Sequence, residues 1–421
     1  MTTTELRNGN VGLGIPDAFD EVARNPSLAL EETAAALDLE SWIVDRLRHP
    51  VEESTSNLQL IRDSGDAVCV PLFQVQHSAI FGSTIGSLTL RPDLQLRACE
   101  AIAMERTWQA ALLGLPFDGA SYGLVCDPDE LSERELMRLL TSAAQHLRFQ
   151  RGRQAVILPG SGCRREFVAK LFAETREASN LIVTGKPDSL GGLNLDQFNA
   201  EGIAAIVLAE LGRIGKTTGT PKIAIQGFGP LGQAVNERLA SEGPTLVALS
   251  DNSGGLYRAD GLILTDIRSH YDHEPILFGY SEADHISRAD LLQVKCDVLI
   301  LTSGPNEIHA RNASTISAPL VIEAHWNAVS ASAKRDLAAR TVEVIPWSIA
   351  TGGALVGAYF ESRQAQVLLS LEDVRVKTRS RVEQALAEVL RYSHDNKEAV
   401  NQAARQLAVE RVAESLRRCA P

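Results

Sequence analysis

Four short apolar runs dominate the second half of the chain: Lys222-Ile-Ala-Ile-Gln226, Thr245-Leu-Val-Ala-Leu-Ser250, Val298-Leu-Ile-Leu-Thr302 and Leu320-Val-Ile-Glu323. Helical stretches separate them. Runs that are apolar at nearly every position, rather than at alternate ones, describe strands covered on both faces. Parallel neighbours need a crossover between them, so strand–helix alternation of this kind specifies a parallel sheet with helices on both sides. Few other architectures accept it.

The turn after the first run narrows the choice. Gly227-Phe-Gly229-Pro230-Leu231-Gly232 comes straight after a predicted strand and opens a predicted helix. In a dinucleotide fold the first glycine makes the tight turn and the second lets backbone approach a pyrophosphate. The third allows close packing, and the positive end of the helix then faces the phosphates. Asp251 lies just past the next run, at the spacing of a carboxylate that accepts from a ribose 2′-hydroxyl and repels a 2′-phosphate. Together these predict a Rossmann domain. Its cofactor-binding candidates are Gly227, Gly229, Pro230, Leu231, Gly232 and Asp251, and NAD is the candidate cofactor. A retained fold with an empty crevice is the alternative.

A chain of 421 residues is long enough for two domains with substantial cores. Its 53 acidic and 41 basic side chains leave a net charge of −12, which disfavours nucleic acid or an anionic membrane as partner. No run approaches the roughly 20 apolar residues of a membrane span. Met1-Thr-Thr-Thr-Glu-Leu-Arg7 lacks a basic region followed by an apolar stretch, so no signal peptide is expected. Cys69, Cys99, Cys126, Cys163, Cys296 and Cys419 are scattered and form no Cys-x-x-Cys pair. They read as reduced thiols in a cytoplasmic protein.

Ahead of the parallel-sheet half the texture differs. Residues 27–48 carry Leu and Ala at helical spacing. The runs Leu58–Ile61, Ala67–Val70 and Phe73–Gln76, broken at Asp63-Ser-Gly65, predict a hairpin or meander. A helix is expected over about 94–112, and another from Ser132, where Glu135 completes a capping box. Ala155–Pro159 predicts a short buried strand that ends in the loop Pro159-Gly-Ser-Gly-Cys163. Gly191-Gly192 marks a boundary before a helix starting around Asp196. Residues 371–419 are strongly charged with helical spacing and predict two amphipathic helices packing back on the body. The fold class is therefore α/β, with an amino-terminal domain over 1–190, a Rossmann domain over 191–355 and C-terminal helices over 356–421 returning to the first domain.

Several stretches resemble one family. Val75-Gln-His-Ser78, Thr107-Trp108, Gly114-Leu-Pro-Phe117, Val183-Thr-Gly-Lys-Pro187 and the glycine loop are similar to the scaffold of the glutamate/leucine/phenylalanine/valine dehydrogenases, as is the closing Val409–Arg417. The resemblance runs from about residue 58 onward. It implies a substrate and oligomerisation role for the amino-terminal domain, through which family members assemble. It also implies lysines in that domain that bind the amino acid and drive deamination, with an aspartate shuttling protons. Yet the first lysine of this chain is Lys170.

By their neighbours, the three family lysines fall on Ile85, Gln109 and Ser121, the last matching the principal catalytic residue, and the aspartate falls on Gly162. The threonine near the start of the inter-domain helix is Asn199. No slip of alignment supplies an amine, because residues 1–169 contain none on a side chain. Arginine cannot replace a catalytic lysine, since it holds its proton at any physiological pH. The nicotinamide half of the site also departs from the family. Leu301-Thr-Ser-Gly-Pro305 stands for Pro-Ala-Ala-Leu-Glu, Glu323-Ala-His-Trp-Asn327 for Glu-Gly-Ala-Asn, and Ala350-Thr-Gly-Gly353 for Asn-Ala-Gly-Gly. Trp326 thus occupies the asparagine expected near the nicotinamide ribose. The adenine half reads as usable and the nicotinamide half as damaged.

Other residues invite attention. His270-Tyr-Asp-His273-Glu274 reads as a solvated loop in preference to a metal site, for want of a third placed ligand. His77 reads as structural or pocket-lining. Cys163, beside Arg164 and Arg165, has no histidine placed to activate it and reads as an idle thiol. Arg91, Arg106, Arg164 and Arg165 are the cations near the family's active-site positions, and surface ion pairing is the plain alternative for each.

Three functions fit these residues. The favoured one is a non-catalytic homologue acting as a regulatory subunit, in a homo- or hetero-oligomer with a catalytic dehydrogenase, its remodelled cleft open to a small-molecule effector. The second is an active NAD-dependent amino-acid oxidoreductase with altered chemistry, and the third a free-standing nucleotide or amino-acid sensor.

Overall fold

A computed structural model describes residues 28–147, 154–175, 181–215, 220–364 and 369–419, so residues 1–27 of the expected first domain lie outside it. The chain divides into two compact units. One takes Asp196–Ala354 with Arg375–Ala404; the other takes the described part of Phe19–Leu195 with Leu355–Val374 and Arg405–Pro421.

The amino-terminal unit holds a six-stranded sheet of β1 (Glu52–Ile61), β2 (Ala67–Gln76), β3 (Thr84–Leu90), β4 (Asp118–Leu124), β5 (Ala155–Pro159) and β6 (Leu181–Val183), in the order β1-β2-β4-β3-β5-β6. The predicted hairpin is one pair of ten-residue strands, Glu52 facing Gln76 and Ile61 facing Ala67. Two of the predicted short runs are therefore one strand, continuous through Pro71. β2 meets β4 antiparallel, while β3, β4, β5 and β6 run parallel. Leu88, Leu90, Tyr122 and Leu124 cover one face together with Leu136, Leu139 and Leu140 of the helix Glu133–Leu147. That helix starts with the predicted capping box: Glu135 N donates to Ser132 Oγ at 3.2 Å and Ser132 N to Glu135 Oε2 at 2.9 Å. On the opposite face Val75 packs with Leu94, Ala98, Cys99 and Ala103, bringing the helix Leu96–Leu112 onto the sheet.

The second unit is the doubly wound fold that the apolar runs predicted. Its seven strands are ordered β10-β9-β8-β7-β11-β12-β13: β7 (Lys222–Gln226), β8 (Thr245–Ser250), β9 (Gly255–Tyr257), β10 (Asp284–Ile286), β11 (Val298–Leu301), β12 (Leu320–Glu323) and β13 (Glu343–Ile345). β8, β7, β11, β12 and β13 are parallel, and β9 and β10 add an antiparallel edge. Every residue of β11 and β12 is buried, which is why those runs show no polar alternation.

The two C-terminal helices span Leu371–Asn396 and Val400–Cys419. The second returns to the amino-terminal unit, where Arg411 Nη1 donates to the carbonyls of Ala111 (3.1 Å) and Leu112 (3.0 Å). These lie at the end of Leu96–Leu112, where a helix leaves its carbonyls without intrahelical partners. No helix among the described residues is long and apolar enough to cross a membrane.

Candidate functional site

In the amino-terminal unit the family positions sit in and around the β3–β4 pair. Ile85 is fully buried in β3, with Gly119 of β4 and Val156 of β5 as its neighbours across the sheet. Ser121 is fully buried in β4, facing Ser87 of β3 and Val75 of β2. The Cys99 thiol lies beside the Ser121 hydroxyl without a well-aligned hydrogen bond, and Ser121 Oγ has no other partner among the described residues. Burial pushes that thiol up to about 12, against a smaller opposing pull from Ser121. Neither group titrates near neutral pH.

Gln109 is also fully buried, on the helix Leu96–Leu112, and accepts a hydrogen bond from Arg106 Nη1 one turn earlier. Arg106 is half-buried. Enclosure of its guanidinium draws the pKa down to about 10, which leaves it cationic at neutral pH. Of the other candidate cations, Arg91 pairs with Asp93 (2.7 Å), Arg164 with Asp129 (3.0 Å) and Arg165 with Asp188 (2.7 Å), all as partly exposed ion pairs.

Gly162, the position expected to match the family's aspartate, is closed to a side chain. Its φ is +73°, and a Cβ added there would lie 2.1 Å from the Leu90 carbonyl oxygen. The loop is pinned in this shape by Leu90 N donating to Ser161 O (2.8 Å) and Gly160 N donating to Leu88 O (2.9 Å). An aspartate therefore does not fit the present backbone. Next to it, burial pushes Cys163 up to about 12, so the adjacent arginines do not make it a thiolate.

Three other polar groups are structural. His77 Nδ1 meets Thr107 Oγ1 at 2.9 Å and its Nε2 meets Leu47 O at 2.8 Å, with Trp108 edge-on at 5.3 Å. Burial lowers its pKa to about 4, so it is neutral, with Nε2 donating to the carbonyl and Nδ1 accepting from the hydroxyl. Asp118, which sequence reasoning passed over, is buried at the start of β4 and accepts from Ser78 Oγ and from Ile80, Phe81 and Gly82 N, each amide at 2.9 Å. Glu361 and Lys186 form a buried ion pair at 2.6 Å, and Glu361 Oε2 also accepts from Gly185 N (2.9 Å) and Leu193 N (3.1 Å). The Thr-Gly-Lys-Pro stretch is thus a folding clasp.

In the second unit the glycine loop is built as the sequence predicted. Gly227 has φ +112°, and a Cβ there would lie 2.4 Å from Thr302 Oγ1; one on Gly232 would lie 2.1 Å from Gly227 O. Gly229 has nothing within 4 Å of its Cβ position and directly precedes the helix Pro230–Ala240, which has Pro230 in its first turn. Open space at the helix N-terminus suits an anion. Asp251 follows β8. Its Oδ1 accepts from Ser253 N (2.7 Å) and Ser253 Oγ (2.6 Å), and its Oδ2 from Leu277 N (2.7 Å). A carboxylate offers about four lone-pair directions, so Oδ2 keeps one for a ribose hydroxyl. The adenosine-phosphate half of a dinucleotide therefore fits these residues.

The residues expected on the nicotinamide side lie after β12. Trp326 and Asn327 form a tight turn after β12, with Asn327 at φ +52° and its carbonyl held by Asn306 N at 2.8 Å. The indole of Trp326, matched by its neighbours to the family's asparagine, is half-buried. Asn199 is elsewhere engaged: its Oδ1 accepts from Ala354 N at 2.7 Å, satisfying a first-turn amide of the helix Gly352–Ser362. His270 and His273 correct the sequence reading. They lie in a helix, Leu264–His273, and not in a loop, because Leu264, Ile267 and Tyr271 keep helical spacing and Ile267 is fully buried. Tyr271 stacks edge-on against Phe228 of the glycine loop at 5.0 Å.

Comparison with known proteins agrees with both units. The family model for glutamate/leucine/phenylalanine/valine dehydrogenase matches residues 191–418, and that for the Glu/Leu/Phe/Val dehydrogenase dimerisation domain matches residues 50–175. The NAD-specific glutamate dehydrogenase A of Halobacterium salinarum is 30% identical over 414 residues, covering 95% of this chain and 93% of its own length. The glutamate dehydrogenase of Thermotoga maritima is 28% identical, covering 90% of this chain and 94% of its own. Among solved structures, the hetero-hexameric glutamate dehydrogenase from Thermus thermophilus in its leucine-bound form has a TM-score of 0.87 at 25% identity, covering 94% of this chain and 98% of that one.

Proposed function

The chain belongs to the glutamate/leucine/phenylalanine/valine dehydrogenase family, and on that premise we propose that it is a non-catalytic member serving as a regulatory subunit beside a catalytic dehydrogenase homologue. One observation carries the proposal: residues 1–169 contain no lysine. Deamination needs a cation for the substrate carboxylate, a group to polarise the reacting carbon's substituent and a base poised near neutral pH. Ile85 offers none of these. Ser121 and Gln109 offer uncharged hydrogen-bonding groups, and the backbone at Gly162 leaves no room for a carboxylate. Arg106 is a permanent cation; it can hold a carboxylate but cannot act as a neutral amine.

The match to a dimerisation domain supports an oligomer. The hetero-hexameric relative crystallised with leucine supports a mixed assembly and an amino acid as the effector class. NAD is plausible as a ligand, given the NAD-specific relative.

The test has two arms. Purified alone, the chain should give no NAD- or NADP-dependent glutamate, leucine, phenylalanine or valine deamination. Co-expressed with a lysine-bearing homologue, it should co-purify in one oligomer whose turnover responds to an amino acid differently from the homologue alone. Turnover by the isolated chain would overturn the proposal, as would the absence of any mixed oligomer.

A further inference from the structure

We infer that Glu210, Arg213 and Glu343 form a proton-operated latch: one proton held by the two carboxylates fastens β13 to the helix Leu195–Arg213, and its loss loosens that attachment. All three residues belong to the second unit, and the latch uses neither the glycine loop nor the family positions, so it stands whether or not the chain is a regulatory subunit. Glu210 is fully buried three residues before the helix ends. Its Oε2 accepts from both Arg213 Nε (2.8 Å) and Arg213 Nη2 (2.5 Å). The same Nη2 donates to Oε2 of Glu343, the first residue of the edge strand β13. The Glu343 side chain is 24% exposed, so solvent screens it poorly. One nitrogen thus holds both carboxylates, which lie no farther apart than two hydrogen bonds laid end to end. Each keeps its other oxygen, Glu210 Oε1 and Glu343 Oε1, buried without a hydrogen-bond partner among the described residues.

Two anions on one guanidinium leave a net negative charge in a poorly solvated place. Like charges this close resist ionising together, and a single proton removes the conflict. Burial pushes the Glu343 carboxyl above the usual carboxylate range, and the Glu210 charge pushes it the same way, against an opposing pull from Arg213. The surrounding elements add little. β12 sets the uncharged Leu320 opposite Glu343, and Pro319 O accepts the Glu343 amide at 2.9 Å. The helix Ala331–Ala339, packed on β13, carries Lys334, paired with Glu323 at 2.8 Å, and the exposed Arg335 and Asp336. Arg340 beyond it donates to the carbonyls of Ala313 (2.6 Å) and Ile316 (2.9 Å). Asp196 and Glu201 lie at the far end of the helix Leu195–Arg213, Glu201 paired with Arg238 at 2.7 Å.

What the latch fastens is the way out of the unit. β13 leads into Pro346, and the chain leaves the unit after Ala354, whose amide donates to Asn199 Oδ1 of the same helix at 2.7 Å. Residues 343–354 are therefore tied to one helix at both ends. Of these two ties, the one at Glu343 contains a group that changes charge.

Amide hydrogen exchange read by mass spectrometry on the purified full chain tests this between pH 5 and 8, with protection corrected for the intrinsic exchange rate. A carboxyl whose folded pKa is raised gives stability that is present at low pH and lost as pH rises through that pKa. In the unaltered chain, protection of peptides covering 209–215 and 341–346 should therefore fall with rising pH, at least threefold more than protection of β11. Glu343→Gln has the shape of the protonated acid and cannot ionise. It should match the unaltered chain at pH 5 and hold its protection at pH 8. Glu210→Gln removes the second charge and should flatten the response as well. A flat profile in the unaltered chain would overturn the inference, and that profile decides the matter even if a variant fails to fold. So would a fall that Glu343→Gln retains, or a loss of protection in that variant at pH 5. None of these outcomes depends on turnover or on a partner, so they separate this inference from the regulatory role.

Discussion

Gly162 decides whether the expected aspartate can be accommodated in this backbone. Replacing it with aspartate restores the family's carboxylate by composition, but the structure opposes any Cβ there. A non-glycine residue at φ +73° costs about 1 kcal/mol, somewhat less for Asp than for Ala. The 2.1 Å overlap with Leu90 O cannot be relieved by a side-chain rotation, because both partners are fixed to backbone. Relief means moving the loop and losing the Leu90 N to Ser161 O bond, worth about 1 kcal/mol, with a similar amount for the repacking that follows. Gly162→Ala and Gly162→Asp should therefore each destabilise the amino-terminal unit by about 3 kcal/mol, nearly equally, since the cost lies in the Cβ and not in the charge. Equilibrium urea unfolding with a common slope measures it. If Gly162→Ala falls within about 0.5 kcal/mol of the unaltered chain, the loop is not pinned as described. If Gly162→Asp alone is costly, the penalty is electrostatic.

Other perturbations give equally definite outcomes. Glu361→Ala strands a buried Lys186 and two backbone amides and should cost about 4 kcal/mol, more than Lys186→Met, which leaves the carboxylate its two amide donors; a double-mutant cycle in urea should show a coupling of more than 1 kcal/mol. His77 is neutral when folded and has a pKa of about 4, whereas an unfolded histidine takes its proton near 6.5. The unfolded state thus binds more protons between pH 6.5 and 4, so stability is lost as pH falls through that window, by up to roughly 3 kcal/mol. A His77→Gln variant should lack that slope in a pH series of urea midpoints. Asp118→Ala removes the acceptor of three amides and a hydroxyl and should loosen residues 78–82, seen as faster amide hydrogen exchange at Ile80, Phe81 and Gly82 than in the rest of the sheet.

The two halves of the chain were not equally legible. β7, β8, β11 and β12 announced themselves because burial on both faces leaves uninterrupted Ile, Val, Leu and Ala, and the glycine loop follows directly from where β7 ends. β3 and β4, which carry Ile85 and Ser121, gave no such signal. Thr-Ile-Gly-Ser-Leu-Thr-Leu and Asp-Gly-Ala-Ser-Tyr-Gly-Leu look like loops, yet every residue in them is buried, because close packing of a helix and neighbouring strands selects small side chains over apolar ones. Only the family resemblance drew attention to those residues. The helix holding His270 and His273 was missed because its single buried anchor, Ile267, is outnumbered by polar neighbours.

The return of the last helix to the first unit has a consequence for biosynthesis. Arg411 supplies donors to carbonyls of Ala111 and Leu112, residues that leave the ribosome some 300 positions earlier. Emerging domains ordinarily fold in order of synthesis. Here that order is interrupted: the carbonyls at the end of Leu96–Leu112 stay without these donors until Val400–Cys419 has itself emerged.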